Sequence, residues 1–221
     1  MAIEVDTKDC TALSDAEIEE MADIAADGPV GYDVGTISKE RDEWVLVTRA
    51  IDGGRLQGYS FCTLERVGGT PAVLIGVASI RRTSRRDTVL RAIVQDQLRR
   101  AVLAFPDEDV LVGTRFATPA GFEAFRALDD VIPRPDHKAN GEERAWGRRL
   151  VKRFSPEGSY DAKSFTVTGE GSMPMVLDHE SLKPEQIDPD VVALFDGIDP
   201  ANGDCIIGFG WAMAEDLEKL L

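Results

Sequence analysis

Short apolar runs and helix-spaced apolar stripes alternate along the chain, and they predict most of its elements. Ala72 to Ile80 is nine residues without a charge, rich in β-branched side chains, and reads as a buried central strand. From Leu90 the apolar positions Ile93, Val94, Leu98, Ala101, Val102 and Phe105 follow the spacing of a helix with one buried face, which Pro106 and Asp107 end. Upstream, Trp44–Ala50 and Leu56–Arg66 read as strands. Asp52, Gly53 and Gly54 supply the positive-φ residues of a tight hairpin, and Gly68, Gly69, Thr70 and Pro71 make a second turn, so the three strands form an antiparallel meander.

The flanking stretches extend this order. Ala2–Val5 is a short first strand, and Ser14 with Glu17 has the spacing of a capping box that opens a helix over Asp15–Ala26, with Ile18, Met21, Ile24 and Ala25 inward. Asp27, Gly28 and Pro29 stop it. Gly31–Glu40 reads as polar and irregular, with at most a short helical turn before Arg41. Val110–Thr114 is a further strand, and Thr118 and Pro119 are N-cap and N1 of a helix that turns Phe122, Phe125 and Leu128 inward. Two prolines and many polar residues in Val131–Asn140 mark a boundary, which divides the chain into a core over 1–132 and a C-terminal extension over 133–221. Glu142–Phe154 is a basic amphipathic helix with Trp146, Leu150, Val151 and Phe154 as its apolar members. Ser164–Thr168 and Asp204–Phe209 are strands, and Ala212–Leu221 is a terminal helix. The class is α/β: a mixed, mostly antiparallel central sheet flanked by helices, with a C-terminal α+β extension.

Composition narrows the partners. A chain of 221 residues buries roughly 70% or more of its unfolded surface, so a substantial core is expected. The net charge of −15 argues against nucleic acid and anionic membranes and suits a cationic acceptor such as an amine. Cys10, Cys62 and Cys205 are odd in number and have neither disulfide nor zinc spacing, so reduced thiols are expected. The start, MAIEVDTKDC, lacks a basic region followed by an apolar run, and no stretch approaches about 18 apolar residues. The expectation is a soluble, cytoplasmic protein.

Against this acidic background, Arg81, Arg82, Arg85 and Arg86 lie between the central strand and the long helix, together with Thr83, Ser84, Asp87 and Thr88. The first N–H groups of a helix lack internal partners and carry the positive end of its dipole, so a cationic turn delivered there makes an anion site, with phosphate the natural guest. The same residues also suit a solvated face with Asp87 or Thr88 as a simple N-cap.

The order β, α, three-strand meander, cationic turn, long helix, β, α resembles the GCN5-related N-acetyltransferases (GNAT). Their phosphate turn, R/Q-x-x-G-x-G/A, matches Arg85-Arg86-Asp87-Thr88-Val89-Leu90. The enhanced-intracellular-survival branch favours R-R-x-G-V-L-R-A, which Arg85, Arg86, Val89, Leu90, Arg91 and Ala92 fit, with Thr88 at the glycine position. A second family pattern, N-x-x-A-x-x-F-Y, falls on Thr118, Gly121, Ala124 and Phe125. Phe125 lacks the hydroxyl that in the family commonly protonates the departing CoA thiolate. The resemblance covers residues 1 to 132.

It implies acetyl-CoA or a related acyl-CoA as cofactor. Val77, Ala78 and Ile80 would offer backbone groups to the pantetheine arm, and Arg85, Arg86, Asp87, Thr88, Val89 and Leu90 would wrap the pyrophosphate, with Phe125 nearby. Thr88 takes room that glycine would leave, although its hydroxyl can donate a hydrogen bond, and Leu90 can face the core. Acyl transfer to a small-molecule or peptide amine needs a base and an acid. The central strand carries no acid, so Glu65 is the nearest base, with water as the alternative, and Tyr59 is the candidate acid. His137 and His179 read as surface residues, Trp44, Trp146 and Trp211 as core or interface, and Arg148, Arg149, Lys152 and Arg153 as a solvated helix face. The apolar strand Cys205–Phe209 is an expected pairing edge for a homodimer. Three readings stand: an N-acyltransferase, a non-catalytic acyl-CoA-binding or interaction module on the same scaffold, and a site for another phosphate ligand such as a nucleotide.

Overall fold

Two glycine turns set the first half of the sheet. The computed structural model describes residues 3–181 and 183–220, apart from the side chain of Glu123. After strand β1 (Glu4–Asp9) come helices α1 (Asp15–Ala25) and α2 (Val34–Glu43), then strands β2 (Leu46–Asp52), β3 (Arg55–Val67) and β4 (Thr70–Ile80). Gly53 and Gly54 close β2 onto β3, and Gly68 and Gly69 close β3 onto β4. All four have positive φ, as two-residue hairpins require. Ser14 and Glu17 form the expected reciprocal capping box at α1, while the expected start of the first strand at Ala2 lies outside the described residues.

The long helix α3 (Arg86–Ala104) leads into β5 (Val110–Phe116), a single turn α4 (Pro119–Phe122) that continues as a 3-10 turn to Phe125, and β6 (Asp129–Ile132). Helix α5 (Gly141–Phe154), strands β7 (Ser159–Asp161), β8 (Thr166–Thr168) and β9 (Leu177–Asp178), helix α6 (Pro189–Ala193), strand β10 (Cys205–Ala212) and the short helix α7 (Ala214–Leu217) complete the order. The expected terminal helix is shorter, a turn of α and a turn of 3-10 ending at Leu220, and Leu221 lies outside the described residues.

Among the described residues, ten strands form one sheet in the order β1-β2-β3-β4-β5-β10-β8-β7, with β6 paired to β10 and β9 paired to β4. It is the expected mixed, mostly antiparallel sheet; β4 is parallel to both β5 and β9. The strands after residue 132 therefore extend the sheet begun by the first half. Tyr59 and Ser60 are neighbours on β3 and so point to opposite faces. Ser60 accepts a hydrogen bond from Gln97 of α3 (2.9 Å), whereas Tyr59 faces Tyr32, Glu40 and the α1–α2 side.

Three expectations change. Val34–Glu43 is a regular helix, because Asp33 caps it by accepting from the Thr36 N–H (2.7 Å) and Ile37 is fully buried. Only Ile37 and Glu40 turn inward, too few to leave an apolar stripe. The helix expected from Pro119 tightens to a 3-10 turn after one turn of α; Phe122 and Phe125 are buried within it as expected. Finally, β10 is an interior strand with β5 on one side and β6 and β8 on the other, so Cys205–Phe209 offers no edge to a second copy.

Within β4, Gly76 is fixed by packing. A Cβ there would sit 2.4 Å from the ring of Trp44, itself buried and held by a hydrogen bond from Nε1 to Glu40 (2.9 Å). Gly76→Ala is expected to lower stability by about 1–3 kcal/mol through overpacking. The check is a lower urea midpoint with an unchanged slope.

Candidate functional site

The sheet divides where β4 meets β5. Ala72, Val73 and Leu74 pair with Leu111, Val112 and Gly113, and no pairing follows. One residue further on, β4 bulges. Cys62 faces Ile75 and Ser60 faces Ala78, so Gly76 and Val77 together oppose Phe61. The Thr114 hydroxyl bridges the fork by donating to the Ile75 carbonyl (2.8 Å).

The chain fills this fork itself. Leu177 and Asp178 of β9 pair in parallel with Ala78 and Ser79, and the Ala78 N–H donates to the Val176 carbonyl at 3.4 Å. On its other side β9 packs against β5. The approach is strapped by Tyr32, whose hydroxyl donates to the Pro174 carbonyl (2.8 Å) and accepts from the Val176 N–H (3.0 Å).

The arginine turn is engaged by residues of the same chain. The Arg81 N–H donates to the Gln57 carbonyl (2.8 Å) and its Nε to the Leu56 carbonyl (3.2 Å). Arg82 forms an ion pair with Glu180 (2.6 Å), and Arg85 pairs with Asp52. Arg86 is buried and its Nε lacks a hydrogen bond. Helix α3 begins at Arg86 with Arg85 as N-cap and no side-chain cap, so neither Asp87 nor Thr88 is the cap. Asp87 instead takes a 2.8 Å hydrogen bond with His179 Nε2. Val89 and Leu90 are core residues.

His179 is thus not a surface residue: its side chain is 1% exposed. Burial lowers its pKa below the ordinary 6.5, with Arg86 adding to that and Asp87 opposing it. The neutral ring donates from Nε2 to the carboxylate, which leaves Nδ1 as a buried acceptor without a partner. His137 pairs with Glu143 (2.9 Å) at the start of α5, away from the fork.

On the α1–α2 side of the fork lies a buried polar cluster that the sequence did not announce: Tyr32, Glu40, Tyr59, Ser79, Arg115 and Asp178. Tyr59 and Ser79 are cross-strand partners. The Tyr59 hydroxyl, Ser79 Oγ, Arg115 Nε and both carboxyl oxygens of Asp178 are buried without a hydrogen bond of good geometry. Burial pushes the Tyr59 phenol well above its ordinary range and raises the Glu40 carboxyl. It also raises Asp178 to about 7, against weaker lowering by Val30, Arg82 and Ser79.

The two proposed catalytic residues do not converge. Glu65 faces Ala72, where β4 and β5 are still joined, and its carboxylate is held by both arms of Arg153 (2.9 and 3.0 Å). Tyr59 is six residues away along β3, about 20 Å at strand rise. Phe125 packs edge-on to Phe116, with 5.0 Å between ring centres, and is wholly buried. The basic face of α5 stacks on aromatic rings, Arg149 over Trp146 and Arg153 over Trp44. The three cysteines are free and buried, with thiols pushed up to about 12, 12 and 11. Among the described residues no group of acidic, His or Cys side chains is placed to hold a metal ion, and no helix is long and apolar enough to cross a membrane.

No protein-family model and no curated protein matches the sequence. Solved structures do match by shape. The ribosomal-protein-S18-alanine N-acetyltransferase of Escherichia coli aligns over 95% of both chains at 8% identity, with a TM-score of 0.50. An acyl-CoA N-acyltransferase from Pseudomonas aeruginosa aligns over 51% of this chain and 79% of its own at 16% identity and TM-score 0.40. A GNAT-family acetyltransferase from Brucella melitensis, solved with acetyl-CoA, aligns over 49% and 75% at 15% identity and TM-score 0.36. The chain has the GNAT fold. Ala78, expected to offer its backbone to a pantetheine arm, pairs instead with Leu177 of β9, and Ser79 beside it pairs with Asp178.

Asp178 gives a pH test of this burial. Its folded pKa near 7 lies above the ordinary 3.8, so between about pH 4 and 7 the folded protein holds a proton that the unfolded chain releases. Stability therefore falls as pH rises through that window and is level above it. Asp178→Asn is expected to show a smaller drop in urea midpoint between about pH 5 and 8 than the wild type. An equal drop would show that the carboxyl is not buried as described.

Proposed function

We propose that the chain binds acetyl-CoA or a related acyl-CoA in the fork between β4 and β5 and transfers the acyl group to an amine on a small molecule or peptide. One observation carries the reading: a parallel strand pair parts beside a four-arginine turn that opens a 19-residue helix. The dipole and side chains at that helix start favour an anion. Alongside, a groove of about 400 Å³ runs along α3 past Asp87, Arg91 and Leu98, walled by Ala124 and Ile187. The net charge of −15 favours a cationic acceptor. Because Glu65 and Tyr59 stand apart, they do not serve one reaction centre.

A second reading, a non-catalytic acyl-CoA-binding or interaction module, is favoured by the residence of β9 in the fork and by Phe125 at the position of the family tyrosine. Calorimetric titration of the full chain with acetyl-CoA, CoA and ATP, followed by turnover assays on amines, separates the two. Binding of both CoA species without ATP, and release of CoA with an amine present, is the expected result. Binding without turnover selects the second reading, and binding of ATP alone selects a nucleotide site. Arg85→Ala, which removes a charge-assisted donor worth about 1.5–3 kcal/mol, is expected to weaken CoA binding by about tenfold or more. An unchanged affinity would make the turn purely structural.

A further inference from the structure

We propose that residues 174–180 form a displaceable internal strand that occupies the place of the acyl-CoA cofactor and leaves when the cofactor binds. The inference rests on the acyl-CoA reading above.

The segment follows the course that an extended arm ending in an anion would take. Its backbone pairs with Ala78 and Ser79 inside the fork, and two residues later the Glu180 carboxylate meets Arg82 on the cationic turn. Between them, His179 reaches the first turn of α3 through Asp87. Strand and anion thus arrive in sequence at the strand and the helix start.

The seat is poor for a permanent core element. The pairing spans two residues, and the Ala78–Val176 hydrogen bond is long at 3.4 Å. With the strand in place, the Tyr59 hydroxyl, Ser79 Oγ and the carboxyl of its own Asp178 are buried without a hydrogen bond of good geometry, and so is His179 Nδ1. Such atoms are a cost that water or a ligand relieves. No element must unfold to release the strand: 169–176 and 179–181 carry neither helix nor strand, and Gly171 has a positive φ. An occupied fork lowers apparent affinity by the fraction of open molecules, so loosening the strand raises it.

The test compares three full-length proteins by calorimetry with acetyl-CoA, with hydrogen exchange followed in the wild type. They are the wild type, Glu180→Gln, and a variant with 175–180 replaced by six alternating Gly and Ser; circular dichroism confirms that each folds. The proposal expects Glu180→Gln to bind a few-fold tighter and the replacement about tenfold tighter or more. It also expects peptides over 172–181 to exchange faster in the wild type once acetyl-CoA is added. Equal affinities for wild type and replacement, or binding without faster exchange, overturn the internal strand while leaving the acyl-CoA reading standing. No binding by either protein overturns both.

Discussion

Backbone N–H and C=O groups buried in a sheet must find partners, and the parting of β4 from β5 after Leu74 and Gly113 leaves Ala78 and Ser79 paired to β3 on one side and without a β5 neighbour on the other. Both residues are buried, so bulk water does not meet this need. Much of the remaining structure answers that single demand. Strand β9 enters the fork, Tyr32 fixes its approach, and Glu180 and His179 fasten its exit to the arginine turn.

The same demand explains why the site combines a strong scaffold with a weak filling. Strands β4 and β5 are almost wholly buried, and α3 packs on β2, β3 and β4 with Val89, Leu90 and Ile93 in the core. The fork is framed by these buried elements, with the β4 bulge at Gly76 and Val77 and the Trp44 ring packed at Gly76. The filling comes from the stretch between β8 and β10, joined to β4 at two residue pairs and beside buried polar atoms that lack a hydrogen bond of good geometry. A buried frame and an occupant joined to it at two residue pairs are what the proposed exchange with an acyl-CoA rests on.

What the sequence made legible follows from how far its signals reach. The meander, α3 and α5 carry long apolar runs, helix-spaced stripes or turn glycines within a few residues, and α1 carries a capping box; all lie close to where those signals put them. Helix α2 escaped because a single buried isoleucine and a capping aspartate hold it. Strands β7 and β9, of three and two residues, are too short for an alternation to register. The arginine turn was visible as a cluster, but its partners were not. Asp52 lies 33 positions before Arg85, and His179 lies 92 after Asp87, separations that only the fold brings together. Met175, Val176 and Leu177, an apolar run leading into Asp178, His179 and Glu180, were the one local hint of the segment that enters the fork.

The most direct test of the account is the contact between β4 and β9 in the ligand-free protein, read by NMR on isotope-labelled full-length chain. Cross-strand NOEs linking Ala78 to Leu177 and Ser79 to Asp178, together with slow exchange of the Ala78 amide, are the predicted result. Their absence, with residues 174–180 mobile and the fork open, would contradict it.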